Sequence, residues 1–342
     1  MRYRLRRDLC LCRPLPALVV YPLVKRRLNF SRRQRSAVSL VLSITVGLHA
    51  VAQIFHQPVW LVYLPPSLSL PLIAMAFALA RKGSRWTLAA ASAALLLLLG
   101  PGMGLQLASR QPASLAGRRV RVVCLNAASW EADLKEVSRR TAELEPDILL
   151  LQEMWWLKHL KSFRSDLPGF VFRGDGTGLR GTCIGTNLPV EVCSVPPPNK
   201  VLGAIVSIEG QEILLLTLHG AKPTSGFASP LVSCRLQRQQ AEATLGYIDR
   251  FGLPVILGGD FNAPPAGPLS EVLEQSLVDV FRERGRGYGM TFPAAFPLAR
   301  LDHVMISPGL ARIDSYRLVD VGSDHLAVVV DLVFQEKADF RK

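Results

Sequence analysis

The stretch "PVILGGDFNAPP", residues 254–265, runs apolar until two glycines and then presents Asp260 and Asn262. Other short apolar runs are flanked in the same way: Asn126 follows "RVRVVCL", Glu153 follows "DILLLQ", and His219 follows "EILLLTL". Asp302 and His303 border "VMIS", and Asp324 and His325 precede "LAVVV". Carboxylates and amides are oxygen donors suited to a hard divalent cation. A carboxylate can also deprotonate water, and an imidazole backed by a carboxylate has a fixed tautomer and raised basicity. Each residue alone has a plainer reading. Glu153 would be a surface acid, Asn126 and the Asp260/Asn262 pair would serve turns, and Asp302 with His303 would be an ordinary strand end. His219 would be a hydrogen-bonded, half-buried imidazole. Asp324 and His325 fit least well, because charged residues just before an apolar run need a partner or a solvent-facing cleft. So many residues of this kind in one domain favour a shared site.

The elements that must carry them are buried strands, which appear as short apolar runs breaking into polar residues at their C-terminal ends. Helical spacing with charged faces occupies residues 131–144 and 228–251, and "AIVSIEGQEILLL" reads as a hairpin turning at Glu209 and Gly210. Alternating strands and helices imply a mixed sheet system covered by helices, with strand-end polar residues lining one cleft. The two-residue stagger would put Asp260 and Asn262 on one side of an extended segment.

Charge divides the 342 residues sharply. Of 40 Lys/Arg and 27 Asp/Glu, residues 1–105 hold 14 basic residues and one acid, leaving 26 of each sign in residues 106–342. A balanced domain has no surplus of cations for non-specific DNA, so nucleic acid is not favoured as a partner. The basic excess belongs to an apolar region. Residues 36–80 and 86–109 contain no Asp, Glu, Lys or Arg. A membrane helix needs about 20 apolar residues, so three spans are expected near 36–55, 59–80 and 86–105, with His56, Gln57 and Pro58 as a turn. Pro65, Pro66 and Pro71 would kink the second span. Eleven Lys/Arg in residues 1–35, with Arg81, Lys82 and Arg85 in the second loop, put those segments in the cytoplasm by the positive-inside rule. "PALVVYPLV", 16–24, is too short to span and would lie along the interface. The expected organisation is a basic cytoplasmic segment 1–35, transmembrane helices 36–105, a linker 106–118 and a catalytic domain 119–342 outside the inner membrane. Six cysteines show no CxxC pair; Cys183 and Cys193 could bridge in an oxidising compartment.

In order and wording, "VVCLNAAS", "DILLLQEMW", "GTCIGTNLPV", "LLLTLHG", "VILGGDFNAPP", "RLDHVMIS" and "GSDHLAVVVDL" resemble the motifs of the endonuclease/exonuclease/phosphatase superfamily across residues 119–334. The resemblance implies a four-layer α/β sandwich, two packed mixed β-sheets flanked by helices, here preceded by the transmembrane region. It also implies hydrolysis of a phosphomonoester, phosphodiester or pyrophosphate by activated water. Magnesium, with manganese as the alternative, would be held by Asn126, Glu153 and Asp324. His325, polarised by Asp302, and His219 would contact the phosphate, Asp260 would activate the water, and Asn262 would donate to the phosphoryl oxygen. Ala128 stands where apurinic endonucleases carry a second acid, and His303 where an aromatic is common. Residues 285–296, "GRGYGMTFPAAF", read as a specificity loop or as a plain connection. The anchored layout is similar to vancomycin-resistance J-type proteins, which implies a lipid bilayer partner and lipid-linked phosphate as substrate. An extracytoplasmic endo/exonuclease and an inactive binding module are the other readings.

Overall fold

In the computed structural model the described residues are 31–55, 66–82, 84–107, 116–128, 132–154, 159–174, 181–191, 201–222 and 230–335. The interfacial segment 16–24, the turn at His56–Pro58, most of the linker and Cys193, hence any bridge to Cys183, lie outside them.

Among the described residues, twelve strands form two six-stranded mixed sheets. The first has the order β11 (Arg312–Val319), β12 (Ala327–Phe334), β1 (Arg118–Asn126), β2 (Ile148–Gln152), β4 (Cys183–Thr186), β3 (Val171–Gly174). The second runs β5 (Val190–Glu191), β6 (Val201–Ile208), β7 (Gln211–His219), β8 (Val255–Asp260), β10 (Asp302–Ile306), β9 (Val278–Asp279). Strands β1 and β2 are parallel, as are β7 and β8. The apolar runs are apolar on both faces because both faces are covered. Period two sends Val120, Val122, Cys124, Ile148 and Leu150 into a core between the sheets, where they meet Leu215, Ile256 and Val304. The alternate residues Val123, Leu125, Leu149 and Leu151 pack outward with Val137 and Phe163, which come from the helices Leu134–Ala142 and Leu160–Asp166. Leu214, Leu216 and Leu257 pack with the helices Pro230–Phe251 and Pro268–Leu273. Helix, sheet, sheet, helix are the four expected layers. The expected hairpin turns at Glu209 (φ 51°) and Gly210 (φ 70°), the left-handed pair a tight two-residue hairpin requires.

Two details position the site. A Cβ on Gly258 would lie 2.7 Å from Leu150 Cδ1 and 3.2 Å from Cys124 Sγ, so glycine is what lets the sheets close at this level. One residue on, a Cβ on Gly259 would collide with the Leu218 carbonyl oxygen. The "GG" before Asp260 is therefore a packing requirement of two faces in succession.

Among the described residues, the N-terminal region contains the α-helices α1 (Arg32–Phe55), α2 (Leu70–Ala80) and α3 (Arg85–Leu97). Among the described residues, only α1 is long and apolar enough to cross a membrane by itself, over Arg32–Ala52. The described parts of the other two expected spans contain shorter apolar helices, Leu70–Ala80 and Arg85–Gly100, and residues 59–65 lie outside the described residues. Residues 66–69 form a 3-10 turn before α2, with Pro71 in its first turn, and α3 passes into a π-helical turn over Leu98–Gly102 around Pro101. Ser39 Oγ donates to the Ala76 carbonyl at 2.8 Å and His49 Nδ1 meets Ser69 Oγ at 2.6 Å, so α1 and α2 are antiparallel. Arg32, Arg33 and Arg35 thus share an end of the pair with Arg81 and Lys82. Small and apolar side chains, Ala76, Ala91 and Ala94 with Val46, Ile73 and Leu98, fill the interior, while Val41, Ile44, Leu48, Trp86 and Leu96 face outward. A water-soluble bundle shares the apolar interior but carries polar residues on its outer face.

Candidate active site

Register and period two together generate the site. The inter-sheet face of β1 continues from Cys124 to Asn126, that of β2 from Leu150 to Gln152, and that of β7 through Thr217 to His219. In the second sheet His219 is paired with Asp260, and Asp260 with Asp302. The apolar inter-sheet core therefore turns polar at one end. For β10 and β12 the polar residues come at the N-terminal ends, not the C-terminal ends expected; because both strands run antiparallel to their neighbours, Asp302 and His325 reach the same edge as Asn126 and Asp260.

Asp260 is the hub and is fully buried. Asn126 Nδ2 donates to its Oδ2 at 3.0 Å across the sheets. The Asn262 backbone N–H donates to Oδ1 at 2.8 Å and Asn262 Nδ2 to Oδ2 at 3.2 Å. His219 Nε2 lies 3.7 Å and His325 Nε2 4.0 Å from Oδ2. His325 Nδ1 is 2.8 Å from Asp302 Oδ2, and since a carboxylate only accepts, Nδ1 carries the proton. Ligand atoms of Asp260, Asp302 and His325 all lie within 4.8 Å of one another. Asn262 is not in extended backbone: its φ of 51° folds the chain after β8 so that its side chain reaches back to Asp260 and to the Gly220 carbonyl, 3.1 Å away. The expected same-side stagger is replaced by a left-handed turn, a conformation asparagine tolerates well.

Glu153 follows β2 at φ 59° and stands at the mouth, 3.8 Å from His219 Nε2. Ala128, at φ 44°, donates its N–H to Asn126 Oδ1 at 3.0 Å. Three left-handed non-glycine residues around one cleft is the clustering expected of a site that holds strain. Asp324 is exposed on the rim, its Oδ1 3.4 Å from Ser323 Oγ, which donates to the Asn126 carbonyl at 2.7 Å. Thus all eight candidate residues line one end of the sandwich: six of the others are within reach of Asp260 directly or through one neighbour, and Asp324 is outermost.

Electrostatics follow from burial. Asp260 is pushed up to about 6 by burial, with the Asp302 charge adding to it. Burial opposes the His325 imidazolium, but the Asp302 carboxylate outweighs it and lifts His325 to about 9. Glu153 is opposed by burial too, yet the Lys222 ammonium, whose Nζ lies 2.7 Å from Oε1, holds its carboxyl below the ordinary value.

Several site residues carry no signature that isolates them in the sequence. Lys222 lies three positions after His219; its proximity there is the only hint that its amine reaches Glu153. Gln152 Nε2 donates to Thr217 Oγ1 at 2.8 Å and ties the sheets together just beneath the cleft. Behind it, Arg300 Nη1 and His303 Nδ1 converge on Asp279 Oδ2 at 2.8 and 3.2 Å, all three buried. His303 stacks on Phe261, centroids 4.5 Å apart, which explains how a histidine serves where an aromatic is common.

The donor set suits a hard cation. Glu153, Asn126, Asp260, Asp302 and Asp324 offer oxygens, and the mouth carboxylate already attracts a positive charge from Lys222. A model of the Endonuclease/Exonuclease/phosphatase family matches residues 124–325. An endonuclease/exonuclease/phosphatase family protein of Bacteroides thetaiotaomicron is 19% identical with TM-score 0.53, covering 65% of this chain and 100% of that one. A mannosyl-6-phosphatase of Bacteroides thetaiotaomicron VPI-5482 is 20% identical with TM-score 0.52, covering 63% and 100%. A humanized D. rerio TDP2 is 18% identical with TM-score 0.50, covering 63% and 99%. No curated protein sequence matches significantly.

Proposed function

As the chain belongs to the Endonuclease/Exonuclease/phosphatase family and is a hydrolase of phosphoric esters, we propose that it is a membrane-anchored, divalent-metal-dependent phosphoesterase acting on lipid-linked phosphate. The observation that carries the reading is the convergence on Asp260: Asn126, Asn262, His219 and His325, from both sheets, all lie within 4.0 Å of its carboxylate. Asp260 orients the attacking water and accepts its proton, a task suited to a carboxylate raised to about 6. His325, held by Asp302, and His219 meet the non-bridging oxygens, and Asn262 donates to the phosphoryl oxygen as charge builds there. Glu153 and Asn126, with Asp324 on the rim, would hold magnesium or manganese, which supplies neutralisation of phosphate charge. Lys222 would leave Glu153 when the cation binds.

Three features support the anchored, outward-facing reading. Helix α1 has spanning length, the bundle carries large apolar side chains such as Ile44, Leu48 and Trp86 on its outside, and Arg32, Arg33 and Arg35 sit at the end shared with Arg81 and Lys82. A reporter fused after Lys342 should read extracytoplasmic. The deciding assay offers the detergent-solubilised protein bis-nitrophenyl phosphate, plasmid DNA, sphingomyelin and undecaprenyl pyrophosphate with magnesium or manganese. Turnover of a lipid-linked phosphate is expected, and chelation or Glu153→Gln should reduce it by about 10²- to 10³-fold, several kcal/mol of lost charge stabilisation. Turnover of DNA alone would replace the lipid reading by the nuclease one. Activity indifferent to chelation would sink the metal-dependent one.

The pH profile of kcat/KM should be bell-shaped. Asp260 must be ionised to take a proton, so the rate rises through about pH 6, or lower once a cation is bound nearby. His325 must be charged to meet the phosphate, so the rate falls through about pH 9. Both limbs belong to the coupled Asp260–Asp302–His325 group. In Asp302→Asn the falling limb should move toward the ordinary histidine range; an unmoved limb would assign it to another group.

A further inference from the structure

Residues 285–300 form a long connection between the helix Val280–Arg284 and β10, with an internal bridge between Phe292 and Ala299. Loops of this length in a compact domain are usually functional or disordered. This one is held from two sides. On the site side, the Ala294 N–H donates to the Asp324 carbonyl at 2.7 Å and the Leu326 N–H to the Thr291 carbonyl at 2.9 Å, bracketing His325. The Phe292 ring lies 4.7 Å from the His325 ring, and Thr291 Oγ1 accepts from the Leu301 and Asp302 N–H groups at 3.1 and 3.3 Å. The connection thus touches both members of the His325–Asp302 pair.

On its other side it meets the helical bundle. Gln106, just past α3, exchanges two backbone hydrogen bonds with Gly287, each 2.9 Å, where Gly287 adopts φ 77°. Ser67, in the turn before α2, donates its hydroxyl to the Leu298 carbonyl at 3.0 Å and is itself buried. The bundle therefore grips the connection near both its ends, and the site is built on the stretch between the grips.

We propose that the helical bundle is a working wall of the active site: by holding Gly287 and Leu298 it positions residues 291–294, and through them His325 and Asp302, for phosphate hydrolysis. The proposal rests on the phosphoesterase reading for its kinetic consequence, since a displacement of about 1 Å in a catalytic constellation can cost on the order of 10²-fold in rate. Ser67 and Gln106 are positioning residues. They touch no reacting atom, and a merely anchoring bundle would make both dispensable with a soluble substrate.

The test uses the full chain in detergent, bis-nitrophenyl phosphate with manganese, and the variants Ser67→Ala, Ser67→Thr, Gln106→Pro and Ser67→Ala with Gln106→Pro. Proline removes the N–H that Gln106 donates to Gly287. The double variant should lose about tenfold or more in kcat with KM nearly unchanged, Ser67→Ala a smaller part of this, and Ser67→Thr, which keeps the hydroxyl, should regain it. Wild-type kcat in the double variant overturns the proposal. If the double variant fails to fold, the Ser67 pair decides: wild-type kcat in Ser67→Ala overturns it, and loss with recovery in Ser67→Thr supports it. Hydrogen exchange at the Ala294 and Leu326 amides is read in the same proteins. It should accelerate in Ser67→Ala and stay slow in Ser67→Thr, and unchanged exchange overturns the bracing. Because exchange needs no turnover, it answers even if no phosphate ester is hydrolysed, an outcome that would sink the phosphoesterase reading alone.

Discussion

His325→Ala is expected to lower kcat toward a phosphate ester by about 10²- to 10⁴-fold, the span typical of a positioned proton-transferring or charge-stabilising group. The imidazole is the best-prepared cation in the cleft. Its Nδ1 proton is committed to Asp302 at 2.8 Å, so Nε2 faces Asp260 and the space a phosphate would fill. Asp302→Asn keeps the imidazole but loses the charge behind it, so a smaller loss of about 10- to 100-fold is expected, as for other residues that orient a site ligand. Steady-state kinetics of both variants, with folding checked by thermal unfolding, provide the measurement. A His325→Ala enzyme within threefold of wild type would remove His325 from the chemistry.

Asp279→Ala should be the most destabilising of the site-supporting changes, by about 3–5 kcal/mol, because it strands the buried Arg300 guanidinium and the His303 imidazole without their shared carboxylate. For a domain of this size that corresponds to a fall in Tm of roughly 6–20 °C. The sign with pH is fixed by the same contacts. Burial alone would raise the Asp279 carboxyl, but Arg300 and His303 hold it well below the usual carboxylate range. Its contribution to stability is therefore full at neutral pH and lost as pH falls below the ordinary carboxylate value. Asp279→Leu combined with Arg300→Met should recover much of the loss, since replacing a whole buried pair costs far less than breaking it. A Tm in Asp279→Ala within about 2 °C of wild type would show the row to be solvated and weak.

The strands and their polar termini were legible because the signal is local: each apolar run is short, and each is bordered at one end by a residue type that needs a polar partner when buried. Asp260, Asp302 and His219 could be assigned to a common edge for that reason. What was not legible depends on distance or on backbone hand. Lys222 and Glu153 are 69 positions apart, and Asp279 lies 21 and 24 positions before the Arg300 and His303 that it joins. The left-handed turn at Asn262 leaves no mark beyond asparagine's tolerance for it. In the helical region, hydropathy revealed apolar stretches but not where the regular helix begins and ends: the 3-10 turn before Leu70 and the π-helical turn over Leu98–Gly102 leave no mark in it.

The strand order carries a consequence for synthesis. Strand β1 lies between β2 and β12, so the first sheet is incomplete until residues 327–334 have joined it, and Asp324 and His325 precede that last strand directly. A nascent chain still lacking this stretch holds Asn126, Glu153 and Asp260 but neither His325 nor the strand that flanks Asn126. Hydrolytic power should therefore switch on late, with the final segment acting as the keystone, and a truncation before residue 324 should yield an inert product.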